Sequence, residues 1–328
     1  MTMNKQYSLL ILLTVTILSG CQPDESSKTQ TKPNEPPNTL TKVSLQLNWF
    51  PEAEHGGYYA ALIHGFFEEE GLDVEIIGGG PNSPVIQKLV SGQADFIIGN
   101  ADQVLTSRAK ESEAVALFAP LQMSPRCIMV HESSGIETLT DLKDMTLGMS
   151  AGRAFALYMR KHLPMENVKL VGYPGSITVF LNDENYGQQA YVFSEPFVVR
   201  NLGGKPKVLM VSDLGYNPYT SLLITTQETV DSDRSLIDRM VRASKKGWTQ
   251  YLQDSTKTDQ HIHSLNEEMG LEILAFGAET LQQLCLPDGM STEQLGRMTS
   301  ERWQLLRNQL IEIELIDESV DANAAFLQ

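Results

Sequence analysis

Cysteine is scarce in this chain, with 3 residues among 328. Cys127 and Cys285 lie too far apart in sequence for any of the usual metal-ligand spacings. The six histidines are scattered and form no paired motif. We therefore expect no metal site. For Cys127 and Cys285 we favour two free, buried thiols, and a disulfide between them is the alternative.

Positive charge is also scarce, since 25 lysine and arginine residues stand against 41 aspartate and glutamate residues, for a formal net charge of -16. A chain with this balance is repelled by the phosphates of nucleic acids. We therefore expect no nucleic-acid partner.

Local motifs of catalysis are missing as well. The sequence holds no Walker-type phosphate loop, no Gly-x-Gly-x-x-Gly after a strand and no nucleophile motif of known local form. We therefore predict a binding protein rather than an enzyme, and we expect no cofactor.

Long apolar runs are absent except near the N-terminus, where Lys5 precedes "SLLILLTVTIL" and the run ends in "LSGC". This run is shorter than the roughly 20 apolar residues of a membrane span, and it is typical of a signal peptide. We predict a signal peptide over residues 1–20. Because residues 18–21 resemble the bacterial lipobox, we also predict lipidation of Cys21. The alternative is an ordinary cleaved signal with a chance cysteine.

A polar, proline-containing segment follows, with the sequence "QPDESSKTQTKPNEPPNTLT" after Cys21. It has almost no apolar side chains with which to build a core. We predict that residues 21–41 are a flexible tether between a lipid anchor and a globular body. The protein would then be exported and held at a bacterial membrane, at its periplasmic face or at the cell surface.

Beyond the tether, short strand patterns alternate with helix patterns. A first series spans residues 43–121 and a second spans residues 126–211. Such alternation predicts an α/β fold whose sheets are flanked by helices. One more strand pattern, at residues 221–226, precedes a tail that is nearly all helical between residues 233 and 315. A lone strand cannot form a sheet, so we expect it to join the first series.

This organisation predicts two lobes connected by two crossing segments that act as a hinge. Lobe 1 would comprise residues 42–122 plus 222–328, and lobe 2 residues 126–218. Open α/β sheets bind ligands where their strands end, so we expect a ligand cleft between the lobes.

The first strand-to-helix corner carries several candidate ligand-binding residues. Asn48 and Trp49 end a strand, and their amide and flat ring suit a planar heteroaromatic ligand, although packing is the alternative role for Trp49. A helix is predicted from about residue 56 to 69, and His55 and Tyr58 lie at its N-terminus. For His55, a helix cap is the alternative. Tyr59 lies on the apolar stripe of the helix, with its hydroxyl as a candidate contact to the cleft.

Two glycines at the same corner, Gly56 and Gly57, would let a ligand approach the backbone closely.

Two other strand ends add candidates. Asn100 and Asp102 follow the strand "ADFIIG", and the segment from Ser150 to Gly152 precedes a helix of lobe 2. The exposed N–H groups of such a helix start favour an anion or a carbonyl oxygen.

Lobe 2 contributes further candidates from the segment "QQAYVFSEPF". A strand predicted over residues 190–194 includes Tyr191 and is followed by Glu195, whose carboxylate could accept a charge-assisted hydrogen bond from an amino group or a ring N–H. Stabilisation of the helix dipole is the alternative role for Glu195. Tyr216, in the predicted hinge, is a candidate for the wall of the cleft.

Four stretches resemble one family, the type 2 periplasmic substrate-binding proteins of ABC importers in their NMT1/THI5-like branch. These stretches are "LNWFPEAEHGGYYAAL", "HGFFEEEGLDVEII", "LVSGQADFIIGNADQVL" and "YVFSEPF". The resemblance covers about residues 44–230, and the first stretch is the most distinctive. It implies the two-lobed periplasmic binding protein type 2 fold, an ABC permease as partner, and a monomer.

By the same resemblance, the corner of lobe 1 and the pair Tyr191 and Glu195 of lobe 2 would hold a thiamine pyrimidine precursor of the formylaminopyrimidine or hydroxymethylpyrimidine type. The alternatives are a pyrimidine-precursor synthase and a binding protein for a flavin or for a sulfonate- or nitrate-type anion. The synthases of this family use a lysine near the first corner for pyridoxal phosphate. This chain has no lysine between Lys42 and Lys88.

Overall fold

The computed structural model describes residues 39–81 and 83–327. The predicted signal peptide, Cys21 and most of the predicted tether lie outside the described residues. The predicted tether ends slightly late, because Thr41 already belongs to the first strand.

The described residues form two five-stranded mixed sheets. In spatial order, the first sheet consists of β2 (Leu72–Ile77), β1 (Thr41–Gln46), β3 (Phe96–Gly99), β10 (Leu222–Thr226) and β4 (Ala114–Phe118). The second sheet consists of β7 (Lys169–Val171), β6 (Thr146–Gly148), β8 (Tyr186–Tyr191), β5 (Arg126–His131) and β9 (Pro206–Met210).

The two sheets share one pairing pattern. In the first, β1 runs parallel to β2 and β3, while β10 runs antiparallel to β3 and β4. In the second, β6 runs parallel to β7 and β8, while β5 runs antiparallel to β8 and β9. The strand at residues 221–226 thus returns to the first sheet, where its apolar side chains are buried. The residue boundaries of the two lobes stay our proposal.

Helices surround both sheets and form most of the C-terminal part. They are α1 (Gly56–Ile63), α2 (Phe66–Glu69), α3 (Val85–Val90), α4 (Ala101–Arg108), α5 (Ala154–His162), α6 (Thr178–Asn182), α7 (Glu195–Asn201), α8 (Gln227–Ser232), α9 (Arg234–Gln253), α10 (Thr256–Leu265), α11 (Leu271–Cys285) and α12 (Ser300–Glu312). Across residues 39–81 and 83–327, no helix is long and apolar enough to cross a bilayer. In the same ranges, no cluster of three or more acidic, histidine or cysteine side chains could hold a metal ion.

Two predicted elements have different boundaries in the structure. The helix predicted from residue 56 to 69 is divided into α1 and α2 by Gly65, whose φ of 78° is a left-handed conformation that ends a helix. The strand predicted over residues 190–194 is displaced toward the N-terminus, because β8 begins at Tyr186 and α7 already includes Glu195. The polar residues at the start of β8 gave no strand signal.

The two crossing segments pair with each other. Leu121 and Thr220 form an isolated antiparallel bridge, and the N–H of Ser124 donates to Asn217 Oδ1 at 2.8 Å. Ser221, which directly follows Thr220, is buried and has a φ of 58°. This left-handed conformation is uncommon for a residue with a side chain, so its surroundings must hold it in place.

Gly56 and Gly57 serve helix packing. A Cβ atom on Gly57 would lie 2.1 Å from the Trp248 ring, and one on Gly56 would lie 2.2 Å from Tyr251. Both aromatic residues belong to α9, so the glycines let α1 approach that helix closely. Our expectation that they make room for a ligand is wrong for these positions.

Both cysteines of the described body are free and buried, as predicted. Cys127 lies in β5 and Cys285 ends α11. Burial raises the pKa of both thiols well above its usual value.

Candidate functional site

A chain of hydrogen bonds fixes Asn48 at the first corner of lobe 1. His55 Nε2 donates to Asn48 Oδ1 at 2.8 Å, and Asn48 Nδ2 donates to Glu54 Oε1 at 3.1 Å. The same Glu54 oxygen accepts from the Ser221 hydroxyl at 2.6 Å. Because an amide oxygen only accepts and its nitrogen only donates, these bonds set the orientation of the Asn48 amide. Asn48 is half-buried, and it keeps one N–H and one lone pair for a ligand.

His55 acts on this corner through Asn48. Its side chain is 0% exposed, and burial lowers the pKa of His55 although nearby Glu54 opposes the shift. The imidazole is therefore neutral, with its proton on Nε2. The side chain makes no capping hydrogen bond at the start of α1, so the cap alternative is wrong. The structure supports a positioning role, and direct contact with a ligand stays a prediction.

Tyr58 and Tyr59 point into the core of lobe 1. The Tyr58 hydroxyl donates to the Ser221 carbonyl at 2.9 Å, and its ring meets Trp248 edge-on. Tyr59 is buried with its ring against His261. Both side chains pack the lobe here, and the ligand contacts that we expected of them have no support from this placement.

Trp49 is half-buried on the loop that follows β1. Its ring lies edge-to-face against Phe50, with 5.5 Å between the ring centroids. The neighbouring loop is held close, since the Gly79 N–H donates to the Trp49 carbonyl at 2.8 Å. Contact between Trp49 and a ligand stays a prediction.

Glu52 and Glu54 place two carboxyl groups at the same corner. They are 6% and 1% exposed. Burial raises the pKa of Glu52 well above its usual range, and the negative charges of Glu54 and of Glu195 raise it further, while Arg126 lowers it. Glu195 and Arg126 belong to lobe 2, so charges of the second lobe act on Glu52.

Arg126 rests against two aromatic rings of lobe 2. Its guanidinium carbon lies 4.1 Å from the centroid of the Tyr191 ring and 4.9 Å from that of Phe155. Its Nη2 also donates to the Tyr191 hydroxyl at 3.0 Å. A flat, charged group therefore rests on the half-buried Tyr191 ring, and this contact is typical of a cation–π pair.

Glu195 is oriented by two neighbours in lobe 2. Its Oε1 accepts from the Tyr173 hydroxyl at 2.7 Å, and its Oε2 accepts from the Tyr191 N–H at 2.9 Å. Pro196 follows in the first turn of α7, where its missing N–H has no cost. Each carboxylate oxygen keeps a second lone pair, so Glu195 can still accept from a ligand.

Asn100 and Asp102 stand at the start of α4. Asn100 forms a capping box with Gln103, and its side chain faces the Tyr191 hydroxyl across the lobes. Asp102 Oδ2 accepts from the hydroxyl of buried Tyr216 at 3.3 Å. Burial raises the pKa of Asp102, and Arg153 opposes this shift most strongly among its neighbours. Tyr216 thus contacts the site through Asp102.

The Ser150 to Gly152 segment lies just before α5. The Ser150 N–H already donates to Gln189 Oε1 at 2.7 Å, so it is not available to an anion in this structure. Gly152 is exposed, with open space around its Cβ position. A ligand contact there stays a prediction.

The interactions between lobes bring together part of the predicted set. Asn100 and Glu54, the partner of Asn48, both act on the Tyr191 hydroxyl, and Arg126, which rests on Tyr191, acts on Asp102. Sequence reasoning missed Glu52, Glu54, Arg126, Phe155 and Tyr173 as members of the site. The only sequence signal for the two glutamates was their position in the corner motif itself.

A cavity of about 520 Å³ lies elsewhere on lobe 1, between α9 and the start of α12. It is lined by apolar residues such as Leu117 and Ile237 and by a surface pair in which Arg234 Nε donates to Asp238 at 3.0 Å. None of the predicted site residues lines this cavity. The half-buried rings and charges between the lobes are the better candidate site.

Comparison with known proteins identifies a family and two relatives that match nearly the whole chain. The family model described as NMT1/THI5 like matches residues 52–258. A formylaminopyrimidine-binding protein of Halalkalibacterium halodurans is 22% identical over 96% of this chain and 96% of its own length. The riboflavin-binding protein RibY of Chloroflexus aurantiacus is 23% identical over 97% of this chain and 94% of its own length.

Similarity to a synthase is limited to part of the chain. The yeast 4-amino-5-hydroxymethyl-2-methylpyrimidine phosphate synthase THI11 is 27% identical over 33% of this chain and 32% of its own length. Among solved structures, the aliphatic sulphonate binding protein SsuA of Escherichia coli superposes with a TM-score of 0.68 at 13% identity, over 88% of this chain and 92% of SsuA. The architecture is therefore the two-lobed periplasmic binding protein fold.

Proposed function

This chain belongs to the NMT1/THI5-like family, and from that premise we propose that it is a solute-binding protein for a small planar heteroaromatic ligand. The ligand class that the site supports best is a thiamine pyrimidine precursor of the formylaminopyrimidine or hydroxymethylpyrimidine type. The lobes would close over it by a hinge motion of the two crossing segments.

The fixed amide of Asn48 in lobe 1 and the fixed carboxylate of Glu195 in lobe 2 carry this proposal. Asn48 offers one donor and one acceptor in a fixed orientation, as a pyrimidine ring nitrogen and an exocyclic group require. Glu195 can accept from a ring amino group, and this charge-assisted bond would be strong inside a closed cleft. The guanidinium of Arg126 rests on the face of Tyr191, so a flat ligand would take the place of this group on the ring.

Transport is the role that the sequence supports for such a receptor. The lipobox-like residues 18–21 support export and a lipid anchor at Cys21, and the tether would let the body reach a membrane partner. We propose that the liganded form, as a monomer, delivers its cargo to an ABC permease. Because the relatives matched over most of their length are named as binding proteins, we do not propose a synthase activity.

A thermal-shift panel tests the proposal. It contains 4-amino-5-hydroxymethyl-2-methylpyrimidine, its formylaminomethyl analogue, riboflavin and an alkanesulfonate. At a ligand concentration of about 100 times Kd, linkage contributes about 2.7 kcal/mol. We expect either pyrimidine to raise Tm by at least about 3 °C. Failure of both pyrimidines to raise Tm would contradict the proposed ligand class.

A flavin is the second candidate, since RibY matches nearly the whole chain. The tricyclic ring could also stack on Tyr191. A Tm increase with riboflavin and none with the pyrimidines would favour this candidate and retain the binding role.

A further inference from the structure

Tyr173 lies on the loop between β7 and α6, at the edge of the lobe 2 sheet where its parallel strands end. β7 and β8 both run parallel to β6, which lies between them. The carboxyl ends of parallel strands meet at one edge of a sheet, and open α/β sheets bind ligands at this edge. Tyr173 follows the end of β7 by two residues, and Tyr191 is the last residue of β8. Both residues therefore lie at the ligand-binding edge of lobe 2.

The side chain of Tyr173 extends across this edge. Neighbouring strands lie about 4.8 Å apart, so β7 and β8 are separated by roughly 10 Å with the end of β6 between them. The Tyr173 hydroxyl nevertheless donates to Glu195 Oε1 at 2.7 Å, and Glu195 follows β8 at the start of α7. Burial raises the pKa of Tyr173 most, and the charges of Glu195 and, from lobe 1, of Glu52 raise it further. A charge of the first lobe thus acts on this phenol.

The hydrogen bond to Glu195 determines what the Tyr173 hydroxyl can offer a ligand. An ionised carboxylate only accepts hydrogen bonds, so the single proton of the phenol is used in this bond. The phenol oxygen keeps a lone pair, with which it can only accept. Glu195 is also only an acceptor, and its other oxygen already receives the Tyr191 N–H at 2.9 Å. Two neighbouring groups of lobe 2 therefore both require donors from the ligand.

A primary amino group supplies two donors from one nitrogen atom. One N–H can donate to the Glu195 carboxylate and the other to the Tyr173 oxygen, and the first of these bonds is charge-assisted. A flavin ring carries a single N–H between two carbonyl groups, so a carbonyl oxygen would meet an acceptor here. An alkanesulfonate has no N–H, and the carboxylate would repel its charge. The pair of acceptors thus favours a ring with an amino group.

We propose that Glu195 and Tyr173 together accept both hydrogens of a primary amino group on the ligand ring, one hydrogen each. Glu195 alone would accept an amino group with or without a substituent, and the phenol oxygen adds the requirement for the second hydrogen. Tyr173 is thus a specificity-determining residue of the cleft. This inference rests on the proposed function and narrows its ligand to a ring with an unsubstituted amino group.

Two matched pyrimidines and one variant test this assignment by calorimetric titration. The ligands are 4-amino-5-hydroxymethyl-2-methylpyrimidine and its 4-methylamino analogue, which keeps a single N–H on the exocyclic nitrogen. Tyr173→Phe keeps the ring and removes the acceptor oxygen. One hydrogen bond between neutral groups corresponds to about a 2- to 10-fold difference in affinity. We expect wild type to prefer the amino compound, and we expect this preference to decrease by that factor in Y173F.

The comparison of two ligands separates this role from mere orientation of Glu195. Both compounds keep an N–H for the carboxylate, so a residue that only orients Glu195 would weaken both equally when it is replaced. Tyr186→Phe is the matched control, because it removes another phenol oxygen from lobe 2. Tyr186 begins β8 and lies roughly 17 Å from Tyr191 along the strand. We expect Y186F to keep the full preference for the amino compound.

Each outcome bears on one level of the account. Equal losses for the two compounds in Y173F overturn the role of Tyr173 and leave the proposed function standing. Wild type that binds the methylamino compound as tightly as the amino compound overturns it as well, and this result does not depend on how well Y173F folds. Binding of neither pyrimidine to wild type contradicts the proposed function and the role of Tyr173 with it.

Discussion

The hydroxyl of Ser221 donates to Glu54 Oε1 at 2.6 Å across 167 positions of sequence. Ser221 follows directly on a crossing segment of the hinge, and Glu54 belongs to the corner that orients Asn48. The backbone N–H of Ser221 also donates to Asn100 Oδ1 at 3.3 Å, and its carbonyl accepts from Tyr58. One residue thus connects the hinge to both strand ends of lobe 1 that face the cleft.

Two substitutions of Ser221 should separate the contribution of its hydroxyl to stability from the strain of its backbone conformation. Both Ser221→Ala and Ser221→Gly lose the bond to Glu54, but only glycine adopts a φ of 58° without strain. We expect S221A to be less stable than wild type by about 1–3 kcal/mol, because a buried carboxylate loses a donor. S221G should be more stable than S221A by about 1 kcal/mol. Urea unfolding measures both differences, and equal stabilities of the two variants would contradict the strain at this position.

Glu52 should make stability depend on pH in a defined direction. Its pKa in the folded protein lies above the ordinary value of 4.5, so the folded state holds this proton more tightly than the unfolded chain does. The resulting stabilisation is complete below pH 4.5 and is lost as pH rises through the raised pKa. Glu52→Gln cannot lose a proton, so its Tm relative to wild type should increase between pH 5 and pH 8. The same difference measured for Glu228→Gln, on the exposed surface of α8, should stay constant, and a constant difference for E52Q would contradict the raised pKa.

His55 should affect ligand binding only through Asn48. His55→Phe keeps a ring in the buried site but removes the Nε2 donor, so the amide of Asn48 loses its fixed orientation. We expect about a tenfold loss of affinity for the hydroxymethylpyrimidine, equivalent to about 1.4 kcal/mol. Asn48→Ala should cost less in the H55F background than in wild type, because coupled residues are not additive. Additive losses in this double-mutant cycle would argue for two independent contacts.

Tyr191 should contribute its ring rather than its hydroxyl. Tyr191→Phe removes the hydrogen bond from Arg126 and keeps the aromatic face, whereas Tyr191→Leu removes both. Aromatic stacking contributes about 0.5–1.5 kcal/mol beyond area burial, so Y191L should bind a pyrimidine roughly 3- to 10-fold more weakly than Y191F. Equal affinities of the two variants would exclude stacking of the ligand on this ring.

Much of the fold could be predicted from local patterns. The apolar strands and their alternation with helices predicted two α/β modules, and the isolated strand at residues 221–226 had to join an existing sheet. The break at Gly65 was missed because the apolar stripe continues across it. The start of β8 was missed because its polar residues do not form the apolar pattern that predicts a strand.

The candidate site was less predictable, for reasons of packing. Periodicity separated Tyr58 from the core stripe, but α1 is enclosed by α9 as well as by the sheet, so almost its whole surface is buried. Glu52 and Glu54 lie in a loop without periodicity, and charged residues in loops are usually exposed. Only the hydrogen bond from Ser221 to Glu54 and the influence of the Arg126 and Glu195 charges on Glu52 connect these carboxyl groups with the hinge and the second lobe.

The central claim is that the cleft binds an aminopyrimidine through a carboxylate of lobe 2. The most direct measurement is a calorimetric titration of 4-amino-5-hydroxymethyl-2-methylpyrimidine into wild type and into Glu195→Gln, with an alkanesulfonate as the comparison ligand. Loss of a charged hydrogen bond of about 1.5–3 kcal/mol predicts saturable binding to wild type and about 10- to 100-fold weaker binding to E195Q, with little change for the sulfonate. No binding of the pyrimidine to wild type, or equal affinities in the two proteins, would contradict the claim.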